Sequence, residues 1–117
     1  MDVKKLLVMP DFCSTGLWIC NTEDLRDHEN VDYEEICEEG LLFPEELYKE
    51  CLEWVDEYDR NHDKVNYVFI SENAWKKSYE KGLNIAKKIK EELGDNAIVY
   101  FWMEGFKTDE FFKEEIV

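Results

Sequence analysis

FPEELYKECLEWVDEYDRN, Phe43 to Asn61, is the stretch whose reading decides the fold. Its apolar residues Leu47, Cys51, Trp54, Val55 and Tyr58 recur at steps of three and four, which places them on one stripe of a 3.6-residue helix. Pro44 suits a first turn, where a backbone N–H has no intrahelical partner. Glu45 and Glu46 follow it, where the helix dipole favours negative charge. The opposite side carries Glu46, Glu50, Glu53, Asp56 and Glu57, with Lys49 as the only cation before Arg60. One helix thus offers a face to bury and a face of carboxylates to display.

Toward the N-terminus, Tyr33, Ile36 and Cys37 within Asp32–Glu39 fit a short helix ended by Gly40, with a long loop as the alternative. It lies in an acidic connector, Asn21–Gly40. Lys5–Met9 (KLLVM), stopped by Pro10, reads as a buried strand, and Leu17–Cys20 as a short strand returning beside it. Asp11 at the strand end is read as a turn-capping residue ahead of a catalytic carboxylate.

Beyond the central helix, Asp59, Asn61 and Asp63 match the first three ligand positions of a calcium loop. Lys64 then replaces the required glycine, and Ile70 replaces the closing glutamate. Val65–Ile70 is β-rich, a strand or an extended connection. Ser71 predicts the N-cap of a second long helix, Glu72–Leu93, with Trp75, Tyr79, Leu83, Ala86, Ile89 and Leu93 as its stripe. Lys76, Lys77, Lys87, Lys88 and Lys90 are assigned to its solvent side. Gly82 costs that helix about 1 kcal/mol relative to Ala, which predicts a close backbone approach there. Ala97–Met103 (AIVYFWM) reads as a strand covered on both faces. Thr108–Ile116 is read as a short amphipathic C-terminal helix, with a frayed tail as the alternative. The expectation is an α/β (α+β) fold: residues 1–117 as a single small domain, a three- to four-stranded sheet packed with two long amphipathic helices and the short terminal one.

The chain has 117 residues and a formal net charge of −15, and its seventeen aromatics argue against disorder. Cys20–Arg60 alone carries sixteen Asp and Glu against three Lys and Arg. Such a field repels nucleic acid and anionic membrane and attracts cationic proteins or metal ions. No secretory signal or membrane span is visible, and the four irregularly spaced cysteines read as reduced thiols of a cytoplasmic protein. Neither His28 nor His62 has a Cys or His partner at metal-ligand spacing, and no phosphate loop or nucleophile elbow is present. No catalytic, cofactor or metal residue is assigned. The candidate partner-binding residues are Glu34, Glu35, Glu38 and Glu39 of the connector with Glu46, Glu50, Glu53 and Glu57 of the helix.

Four stretches in order resemble a family of small acidic bacterial immunity or antitoxin proteins, encoded beside polymorphic or contact-dependent growth inhibition toxins. They are Met9–Trp18 (MPDFCSTGLW), Leu42–Asp59 (LFPEELYKECLEWVDEYD), Glu80–Gly94 (EKGLNIAKKIKEELG) and Ile98–Phe101 (IVYF). Phe43 departs from the family's helix-capping Ser, Lys81 from its acid before the glycine, and the Asn21–Gly40 connector has no counterpart. The resemblance implies binding and neutralisation of a cognate toxin, and no active-site residues. Joined to the charge, it favours a basic toxin, best fitted by a nuclease whose phosphate-holding site presents Lys and Arg. The other readings are an acidic interaction or regulatory module for another cationic partner, and a small enzyme or metal-binding domain.

Overall fold

The computed structural model describes residues 3–117. Five strands form one sheet in the order β3-β2-β1-β4-β5. They are β1 (Lys4–Val8), β2 (Leu17–Cys20), β3 (His28–Asn30), β4 (Ala97–Glu104) and β5 (Phe111–Ile116). The helices α1 (Tyr33–Glu38), α2 (Glu45–Arg60) and α3 (Glu72–Leu93) lie between β3 and β4 in sequence. β1 and β4 pair in parallel at the centre, Leu6 beside Val99 and Val8 beside Phe101, while the outer strands run antiparallel. The mixed α+β class matches the expectation, with one strand more than anticipated.

All three helices cover one face of the sheet. Leu6, Val8, Leu17, Val99, Phe101 and Met103 on that face share a core with Ile36 of α1, Leu47, Cys51 and Trp54 of α2, and Ile85 and Ile89 of α3. Burying apolar area of this kind is the main favourable term of the fold. Asp32 caps α1 in a reciprocal box with Glu35: its carboxylate accepts from the Glu35 N–H, and the Glu35 carboxylate accepts from the Asp32 N–H. Gly40, at φ +81, ends it. The α2 stripe is the predicted one. In α3 the buried line is rotated: Ser78, Gly82, Ile85, Ala86, Ile89 and Leu93 are buried, whereas Trp75, Tyr79 and Leu83 are half-buried at its flank. The rotation follows from α2, whose Trp54 indole fills the space over Gly82.

Several expectations are corrected. Thr108–Ile116 is no helix; Phe111–Ile116 adds β5 to the open edge of β4 over six residue pairs. Its alternation decides this: Phe112 packs on Trp75 and Tyr79, and Ile116 enters the core. Lys113 turns to the other face, its Nζ 4.4 Å from the Trp102 ring. The connector holds a short strand, β3, beside β2. Val65–Ile70 forms no strand beyond an isolated bridge between His62 and Phe69. β4 is covered by helices on one face only. On the other, Leu7, Met9 and Trp102 form a thin layer with Trp18, Tyr100 and Leu25, aromatic rings taking the place of a second helical layer.

Candidate partner-binding surface

The four carboxylates of α2 do not act as one face. Glu50 and Glu57 point toward α3, where Glu50 meets Lys88 at 3.3 Å and Glu57 meets Lys81 at 2.9 Å. Glu46 and Glu53 lie exposed, without an ion pair among the described residues. The α3 lysines are correspondingly less free than expected. Besides Lys88, Lys90 donates to the carbonyls of Gly94 and Ala97 at 2.8 Å and closes the helix end.

On α1 the carboxylates divide in a similar way. Glu35 belongs to the capping box, and Glu39 meets Lys4 of β1 at 2.6 Å. Glu34 and Glu38 are exposed and make no ion pair among the described residues. Sequence spacing places each carboxylate on its helix, but not the cation that a neighbouring element brings to it.

The starts of α1 and α2 meet at two tyrosines, Tyr33, which the sequence reading used only to place a helix, and Tyr48, which it passed over. The rings of Tyr33 and Tyr48 lie 5.5 Å apart, and the Tyr33 hydroxyl donates to the Phe43 carbonyl at 2.6 Å. Burial, then the Cys37 thiol and the carboxylates of Glu45 and Glu46, hold the Tyr33 phenol above its ordinary value. Burial, with the carboxylates of Asp32 and Glu35 adding to it, does the same for Tyr48. Both helices carry carboxylates in the first turn beside this aromatic pair, Glu34 and Glu35 on α1 and Glu45 and Glu46 on α2. Both helix dipoles favour negative charge there, which offsets part of the mutual repulsion.

A second cluster lies toward the far end of α2, where Tyr58 stands about 15 Å along the helix from Tyr48 at 1.5 Å per residue. The His62 ring is 3% exposed and is packed between Tyr58 and Phe69, with Phe12 edge-on. Its Nδ1 donates to the Tyr58 carbonyl, and its Nε2 faces Glu104 Oε1 at 3.3 Å. The Tyr58 hydroxyl donates to the same Oε1. Burial opposes ionisation of Glu104, but the hydrogen bonds from His62 and Tyr58 outweigh it and hold the carboxyl below its ordinary value. A carboxylate closing the strand run AIVYFWM is the sequence signal that marks this cluster; His62 was read only as lacking ligand partners.

The remaining chemical candidates are engaged otherwise. Asp11 accepts from the Phe12 N–H, and its carbonyl accepts from Ser14, as a turn requires. Asp63 accepts from the Val65 N–H and the Asn66 side chain, both at 2.9 Å, which closes a turn. Cys20 and His28 sit opposite each other across β2 and β3. Burial pushes the Cys20 thiol up, away from the thiolate that nucleophilic attack requires. Cys51 is buried as expected. No helix among the described residues is long and apolar enough to cross a membrane.

The family model described as Serratia CdiI immunity protein-like matches residues 4–104, from the start of β1 to the end of β4. No curated protein and no solved structure matches the chain. The matched segment contains all four stretches that carry the resemblance, and all three helices. The chain belongs to the Serratia CdiI immunity protein-like family, and is a bacterial immunity protein and toxin inhibitor of contact-dependent growth inhibition.

Proposed function

We propose that the chain acts in the cytoplasm as one domain that binds a basic toxin, with a nuclease as the class that fits best, and neutralises it by laying the acidic side of α1 and α2 over the toxin's cationic surface. The observation that carries this reading is the meeting of two helix starts. The Tyr33 and Tyr48 rings lie 5.5 Å apart, Glu34 and Glu35 occupy the first turn of α1 and Glu45 and Glu46 that of α2, and Glu34, Glu38 and Glu53 stand exposed on the same two helices. Aromatic rings framed by carboxylates suit a surface of Lys and Arg, since they combine long-range attraction with area to bury. Of the eight carboxylates proposed from the sequence, Glu34, Glu38, Glu46 and Glu53 are the direct contacts. Glu35, Glu39, Glu50 and Glu57 hold the surface in shape through their internal partners. The protein works by occupying the toxin, with no catalytic step or cofactor, and its charge keeps it off nucleic acid and anionic membrane.

Mixing the protein with the toxin domain encoded beside it tests this. A stoichiometric complex on size exclusion that forms at low salt, weakens at high salt and abolishes the toxin's nuclease activity is the expected outcome. A neighbouring toxin that is acidic, or that does not bind, overturns the reading.

A further inference from the structure

Between the α2–α3 loop and the β4–β5 turn runs a groove of about 570 Å³, at the end of the sheet where the parallel strands β1 and β4 finish. Open α/β sheets commonly bind at that end of their strands. One wall is apolar and open to solvent: Tyr67 is 62% exposed and Val68 38%. The floor holds Glu104. Its Oε1 is fixed by Tyr58 and His62, whereas Oε2 makes no hydrogen bond among the described residues. The Glu104 side chain is 31% exposed. A second hollow of about 170 Å³, lined by Phe12 and Phe111, adjoins the same carboxylate. Lys64 meets Asp59 at 3.3 Å, and Lys107, which lines the groove, holds its Nζ 5.3 Å from the Phe106 ring. Asp109 adds negative charge to the lining.

An acceptor oriented by two buried partners, open on one oxygen and flanked by an apolar wall, fits one kind of side chain: a long apolar stem ending in a cation. We infer that this groove seats a Lys or Arg side chain of the cognate toxin, its cation on Glu104 Oε2 and its stem along Tyr67 and Val68. The inference rests on the toxin-binding reading above and deepens it. The acidic side of α1 and α2 speeds the encounter, whereas the groove holds the partner and sets how slowly it leaves.

Binding kinetics with the neighbouring toxin domain test this, using Glu104→Gln and Tyr67→Ala. Each is expected to speed dissociation about tenfold or more, leaving the association rate within about twofold of wild type and its salt dependence unchanged. If Glu104→Gln lowers the melting temperature, Tyr67→Ala decides alone, because that side chain is mostly exposed, with the Phe12 ring 5.8 Å away between centroids. Wild-type binding with unchanged dissociation in the deciding variant overturns the groove and leaves the acidic surface standing. A toxin domain that does not bind the wild type overturns both.

Discussion

Trp54 of α2 lies against Gly82 of α3 with no room for a methyl group between them. A Cβ on Gly82 would stand 2.7 Å from Trp54 Cε2, closer still to Cζ2, and 2.8 Å from Phe101 Cε1. The indole N–H donates to the Ser78 carbonyl at 2.8 Å, one turn earlier on α3. The ring is therefore fixed at both ends and cannot swing aside. This contact joins the two long helices to the central strand, and it explains the tolerance of a glycine inside α3.

Gly82→Ala sets two effects against each other. Helix propensity favours Ala by about 1 kcal/mol, and overpacking a filled core costs about 1–3 kcal/mol, more where backbone must move. A Cβ inside 3 Å of a fixed indole places this site at the upper end, so a net loss of about 1–2 kcal/mol and a melting midpoint several degrees lower are expected. A raised midpoint in a thermal melt would show that the helices part without cost.

The thiols should separate by burial. Burial, then the nearby Glu50 carboxylate, pushes the Cys51 thiol up to about 12, while Cys13 is exposed. Alkylation of native protein at neutral pH, read by mass spectrometry, should label Cys13 within minutes and leave Cys51 unmodified until denaturant is added. Fast native labelling of Cys51 contradicts the packing of α2 described here.

Glu104 should contribute to the acid limb of stability. Its carboxyl is held below the ordinary value of 4.5, so the folded state favours the ionised form. That contribution is complete above about pH 5 and is lost as pH falls through the lower, folded value. Urea titrations from pH 7 to pH 3 should show a shallower fall in stability for Glu104→Gln than for wild type. Equal slopes would mean that the bonds from Tyr58 and His62 do not outweigh burial.

How far these features were legible in the sequence depends on the range of the forces involved. The stripe of α2, the cap Ser71, the β1 run and the tight fit at Gly82 carry local or periodic signals, and they read correctly. β5 did not. In FFKEEI the apolar Phe111, Phe112 and Ile116 also fit one helical stripe, and only the vacant edge of β4 decides for a strand. β3 has three polar residues and no signal of its own; Asn30 is drawn in by bonds to Thr15 and the Leu17 carbonyl. Val65–Ile70 fails as a strand because the Asp63 turn and a left-handed Tyr67, at φ +55, break its extension. The site divides on the same principle: spacing put eight carboxylates on two helices, but Lys4, Lys81 and Lys88 arrive from elements far away in the chain. The Tyr58–His62–Glu104 cluster joins residues more than forty positions apart, beyond the reach of any local pattern.

Association kinetics of the double variant Glu46→Lys, Glu53→Lys with the neighbouring toxin domain test the central claim most directly. Both side chains are exposed and unpaired among the described residues, so stability should change by about 0.5 kcal/mol or less, the usual range for surface substitutions. The association rate at low salt should fall about tenfold or more, and its dependence on salt should flatten, because the attractive field has been weakened at its source. An association rate and salt dependence equal to those of the wild type would contradict the account, leaving the carboxylates of α1 and α2 as solvated surface.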